Sequence, residues 1–125
     1  MMQMTPAQMA QMGRAAFEMR LVGLIRECYP QQCAALDDGQ LRAALVPQIA
    51  RAKGYGLADE RSVATFVNTA WLLGDRFDER IPAMAQVLRA PDLSARTKAK
   101  ALDDFQRVVF HKLNETPVAK IRVGG

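Results

Sequence analysis

The chain has 125 residues, of which 50% are apolar and 24% charged, a composition that suits a single folded domain and excludes both a disordered chain and two ordinary domains. No apolar run approaches the ~18–20 residues that span a bilayer, and residues 1–11 lack the basic start of a secretory signal, so a cytoplasmic protein with no membrane contact is expected. Residues 1–93 hold ten basic and ten acidic side chains, so the net charge of +4 comes entirely from residues 94–125, where an acidic partner or nucleic acid would be attracted.

Leu and Ala are abundant and aromatics make up only 6%, which favours helix throughout. Thr5-Pro6-Ala7-Gln8 reads as a helix start, with Thr5 as cap and Pro6 at the first helical position. That helix is expected to reach Tyr29, because Pro30 opposes continuation. Phe17, Leu21, Leu24 and Cys28 form one apolar stripe at helical spacing. Met9, Met12, Ala16 and Met19 form a second stripe on another side. A helix at the edge of a small bundle needs only one apolar face, so Met9, Met12 and Met19 are candidates for contact with a partner or a second copy. The alternative is that they pack within the core. Methionine is flexible and polarizable, which suits a surface that adapts to what it binds.

Residues 30–38 read as a connection. Asp37-Asp38-Gly39 starts the next helix, and Leu41, Leu45, Ile49 and Ala52 give its buried stripe. Pro47 lies inside it and predicts a kink rather than two helices. Gly54-Tyr55-Gly56 ends it. Asp59-Glu60 opens a third helix, whose Val63, Phe66, Val67, Ala70 and Leu73 make it the most apolar and the expected centre of the core, with Trp71 at the flank. Gly74 closes it. Residues 75–80 read as a charged turn, Pro82 starts a short helix carrying Met84, Val87 and Leu88, and Asp92 or Ser94 caps a last helix over about 94–113. Its expected core stripe is Ala95, Leu102, Phe105, Val109 and Leu113. The opposite side gathers Arg96, Lys100, Arg107 and His111. The expected fold is all-α, a bundle of four to five helices forming one domain over 1–125, with an ordered core at about 5–113. Residues 114–125 are expected to form a flexible tail, in which Val118 to Val123 alternates enough for a short strand against a partner's edge.

Catalytic chemistry finds little footing. His111 is the single histidine, and helical spacing sets it among basic side chains with no carboxylate to orient it. Asp75, Asp78 and Glu79 are interleaved with Arg76 and Arg80 and lack calcium-loop spacing, so they read as a salt-bridged turn. Gly54-Tyr55-Gly56 follows a helix rather than a strand and is no phosphate loop. Cys28 and Cys33 are too few for a structural zinc site, and in a cytoplasmic chain they read as two free thiols. No catalytic residue, metal or cofactor is expected. The basic side Arg96, Lys100, Arg107 and His111 offers a nucleic-acid reading, weakened by Asp103 and Asp104 at positions suited to i,i+4 pairs.

From Ile49 to Leu88 the chain runs Ala52, Tyr55-Gly56-Leu57, Asp59-Glu60, Val63, Phe66-Val67, Gly74, Phe77-Asp78, Pro82 and Leu88, preceded by Leu24, Tyr29-Pro30 and Leu36. This pattern, covering about half the chain, resembles small helical accessory proteins encoded in type VI secretion and polymorphic-toxin gene clusters of Gram-negative bacteria. The resemblance implies a protein-binding role without catalytic residues: a chaperone or adaptor for a secreted effector or spike component, or an immunity protein that neutralises a cognate toxin. A basic, helical nucleic-acid-binding regulator is the reading outside that class. Immunity proteins against nucleases are often acidic, and the basic balance of this chain favours the chaperone or adaptor.

Overall fold

A computed structural model describes the backbone of residues 6–115 and the side chains of residues 12–109. The Thr5 cap, the 116–125 segment with its possible strand, and the side chains of Met9, His111 and Leu113 lie outside the described residues. Within them every regular element is a helix: α1 (Pro6–Cys28), α2 (Pro30–Cys33), α3 (Asp38–Gly54), α4 (Glu60–Leu73), α5 (Phe77–Arg80), α6 (Pro82–Arg89) and α7 (Ala95–Glu115). These seven replace the four to five expected, because the connection at 30–33 and the charged turn at 77–80 each wind into a single helical turn. Pro30 supplies the reason at α2, since its fixed φ suits a first helical position. At α5 the reason is burial: Phe77 and Asp78 are drawn into the core. The last helix runs two residues past its expected end.

The helix ends follow from local chemistry. Asp37 accepts a hydrogen bond from the Gln40 N–H at 2.8 Å while the Gln40 side chain accepts from the Asp37 N–H at 3.0 Å, a reciprocal capping box. Asp59 caps α4 by accepting from the Ser62 N–H at 3.0 Å, and Ser94 caps α7 by accepting from the Thr97 N–H at 3.1 Å. At the end of α3, Gly56 has φ +87°, its N–H donates to the Lys53 carbonyl, and the Leu57 N–H reaches back to the Ala52 carbonyl. This is the paired closure that needs a left-handed residue, and it drops Leu57 into the core at 0% exposure. Pro47 does not divide α3. Its missing N–H leaves the Ala43 carbonyl without a helical donor, on an exposed side where water can satisfy it.

α4 is the centre, packing on α3 and α7 and also touching α1 and α5. Val63, Phe66, Val67 and Ala70 are buried as expected, and Phe66 meets Phe77 of α5 with ring centroids 5.0 Å apart. On α3 the expected stripe of Leu41, Leu45, Ile49 and Ala52 is buried as a set. Two expectations are corrected. The core face of α1 is Leu21, Val22 and Ile25, with Phe17 only partly covered, whereas Leu24 and Cys28 are exposed. Residues 21–25 are apolar on nearly every side of the helix, so periodicity could not select the face; α3 and α4 do. On α7, Leu102 is buried while Ala95, Phe105 and Val109 are only partly so. Lys98 and Gln106, one turn either side of Leu102, are more buried than those three because each finds a polar partner inside.

Candidate functional site

The N-terminal half of α1 is unlike any other stretch of the bundle. At about 1.5 Å per residue α1 is about 34 Å long, against about 21 Å for α4 on which the core is centred. Burial on α1 begins only at Leu21; from Met12 to Arg20 no side chain is buried. Met12 is 59% exposed and Met19 42% exposed, and between and beyond them Ala16 and Gly23 are exposed too. Met12, Ala16, Met19 and Gly23 are spaced four, three and four apart, so they share one face, roughly opposite Leu21 and Ile25. The helix is anchored by pairs along its sides: Glu18 with Arg42 of α3, Arg20 with Glu60 of α4, and Arg26 with Asp38 at 2.7 Å. Arg26 also donates to the Cys33 and Leu36 carbonyls, which ties α1 to α2. None of these contacts covers the methionines.

The expected basic side is brought together only in part. Lys100 pairs with Asp104 at 2.9 Å and Arg107 with Asp103 at 3.0 Å, as the i,i+4 spacing implied. Arg96 has no ion pair among the described residues and lines, with Lys100 and Arg61, an open cleft of about 470 Å³ between α4 and α7. Asp59 and Asp103 line the same cleft, so its charge is mixed. Ser62 hydrogen bonds hold the Asp59 carboxyl below the usual carboxylate range, keeping its negative charge at the helix start.

No protein-family model, curated protein or solved structure matches this chain.

Two polar clusters escaped the sequence reading. In the first, Asp78 is fully buried, and Arg51 donates to both its carboxylate oxygens while the Tyr55 hydroxyl donates at 2.5 Å. Burial pushes the Asp78 carboxyl up, but the hydrogen bonds and the Arg51 charge outweigh it and hold the group below its ordinary value. Lys98 of α7 donates to the Tyr55 carbonyl at 3.0 Å, so α3, α5 and α7 meet here. The expected turn of Asp75, Asp78 and Glu79 is thus corrected: Asp78 pairs across the fold with Arg51, and only Arg76–Glu79 is a local pair. A sealed, neutralised carboxylate has no access to substrate and acts as a fastening.

In the second cluster, Tyr29 donates to Asn68 at 3.0 Å, and Asn68 donates to Gln106 at 2.8 Å. Gln106 in turn donates to the Thr65 carbonyl at 3.1 Å and to the Thr69 hydroxyl. Gln106 is one turn from Leu102, and a polar residue at a core position of the helical repeat was the signal available for it. Cys28 and Cys33 are free, the first exposed and the second buried with its Sγ toward the Ile25 carbonyl. Among the described residues no three His, Cys, Asp or Glu side chains are grouped to hold a metal, and no helix is long and apolar enough to cross a membrane.

Proposed function

We propose that this chain is a non-catalytic protein-binding factor that presents the outer face of α1 to another protein. The carrying observation is the exposure of Met12 and Met19 on a stretch, Met12 to Arg20, in which no side chain is buried and Phe17 is only partly covered against the core. Adaptable apolar side chains on an exposed helix face suit docking into a groove or onto a second helix. Four of the charged groups are engaged within the bundle: Asp78 in a sealed pair, Asp59 in a cap, Lys100 and Arg107 in ion pairs. The last two pairings also weaken the nucleic-acid reading, since they offset half of the basic side. From the resemblance in the chain's middle we take the partner class to be a secreted effector or spike component, held by a chaperone or adaptor. Neutralisation of a toxin is the alternative consequence of the same binding.

The test is co-expression with the product of the neighbouring effector or spike gene, followed by size-exclusion chromatography. Co-elution that is lost in Met12→Asp with Met19→Asp, while circular dichroism of the variant stays helical, is the expected result. No complex with any neighbouring product, or a complex indifferent to both substitutions, overturns the proposal.

A further inference from the structure

The exposed face of α1 carries more order than a docking patch requires. Met12, Ala16, Met19 and Gly23 recur at four, three and four residues, the spacing of a two-helix seam. In heptad terms Met12 and Met19 fall on one seam position, and Ala16 and Gly23 on the other. Gly23 has open space around the point where a side chain would begin, so a second backbone can approach there.

That alternation chooses the orientation of a second copy. Parallel α1 helices would stack methionine on methionine and small on small, layers alternately crowded and hollow. Antiparallel helices put each large residue against a small one: Met12 against the partner subunit's Gly23, and Ala16 against the partner subunit's Met19. The two-fold axis then passes between Phe17 and Glu18, next to the midpoint of α1, so the helices overlap along their whole length. Leu21 and Ile25 turn the opposite side of α1 to the core, which leaves the face of Met12 and Met19 open to a second bundle.

Charge supports the same pairing. The first turn of α1 holds no acidic residue, whereas α3 begins with Asp38 and α4 with Glu60. Glu27 is exposed in the last turn of α1, where the helix dipole disfavours it, and it has no ion pair among the described residues. Antiparallel pairing sets the partner subunit's Glu27 beside the positive, acid-free end of α1. Met12, Ala16, Met19 and Gly23 carry no charge, and Arg26, next at the same spacing, is held by Asp38 and the Cys33 and Leu36 carbonyls of its own chain.

We infer that α1 pairs with α1 of a second copy in an antiparallel, two-fold dimer through Met12, Ala16, Met19 and Gly23. This inference rests on the outer face of α1 being the binding surface, and it names the occupant of that face when no other protein is bound. The strip is about 34 Å by 10 Å, or about 340 Å² per copy, well below the ~800 Å² per partner of a standard interface. The dimer is accordingly weak and concentration-dependent, and another protein's helix can replace the second copy.

Sedimentation velocity of the full chain from about 1 µM to 1 mM tests the dimer, with dissociation expected in a range of about ten to several hundred micromolar. Met19→Asp is expected to hold the chain monomeric, while Val108→Asp, on the exposed face of α7, leaves the equilibrium unchanged. Orientation is read in a Cys28→Ser background. Ala16→Cys and Met19→Cys proteins, mixed and oxidised, are expected to give a covalent dimer, with little from either protein alone. A monomer throughout overturns the dimer, and equal cross-linking of each single variant with itself overturns the antiparallel arrangement. Neither result bears on whether a neighbouring gene product co-elutes. Conversely, a dimer with no such complex overturns the binding role and leaves the dimer standing.

Discussion

Arg51, in the last turns of α3, holds both carboxylate oxygens of Asp78 on α5, and Asp78 is 0% exposed. Two elements separated by all of α4 are thereby fastened at one point, beside the Phe66–Phe77 contact. Removing one partner strands a buried charge. Arg51→Met is expected to destabilise the domain by about 3–5 kcal/mol, and Arg51→Met with Asp78→Leu by less than that single change, measured by urea denaturation. The pH dependence follows from the same pair. The folded Asp78 carboxyl sits below its unfolded value, so its contribution is complete above about pH 4 and is lost as pH falls through the folded value. Asp78→Asn should flatten the acid limb of the stability curve.

Gln106 joins α7 to α4 through Asn68, Thr65 and Thr69. Gln106→Leu keeps the volume but leaves Asn68 without its acceptor. A loss of about 1–3 kcal/mol is expected in the same measurement. Asn68→Ala with Gln106→Leu should cost less than the sum of the two single changes, as residues of one network do.

Gly74 ends α4 at φ +112°, ψ +156°, a region that side-chain-bearing residues avoid. Space is not the obstacle, since nothing lies within 4 Å of an added Cβ. Gly74→Ala is therefore expected to lower stability by about 1–3 kcal/mol through backbone strain alone. Gly54→Ala, inside α3 and equally uncrowded, should be neutral or stabilising.

The two thiols should differ in reach. Cys28 is expected to react with a thiol reagent in the native protein, and Cys33 only after unfolding, both without prior reduction. A stable Cys28–Cys33 bridge in protein from a reducing cytoplasm would contradict the structure.

The two sides of α1 should respond oppositely to a carboxylate. Ile25→Asp places one in the core at 0% exposure and is expected to unfold the domain, since an unpaired buried charge costs several kcal/mol, comparable with total stability. Met12→Asp with Met19→Asp should leave the thermal midpoint of the dilute protein within a few degrees of the original.

Much of this architecture was written locally. Asp37 with Gln40, Asp59 with Ser62, and the closing glycines at 56 and 74 fix helix ends through contacts a few residues apart, so composition and spacing were enough to place them. The buried stripe of α3 was equally legible because Leu41, Leu45, Ile49 and Ala52 are the apolar minority on a polar helix. The exposed methionines could be picked out as surplus, but whether they were covered depended on how far α3 and α4 reach along α1. Which face of residues 21–25 turned inward was undecidable locally, because apolar side chains ring the helix and only the position of its neighbours breaks the tie. Asp78 with Arg51, and Gln106 with Asn68, were out of reach for a related reason. A polar side chain enters the core only where a partner distant in sequence meets it, and that meeting is a property of the assembled bundle.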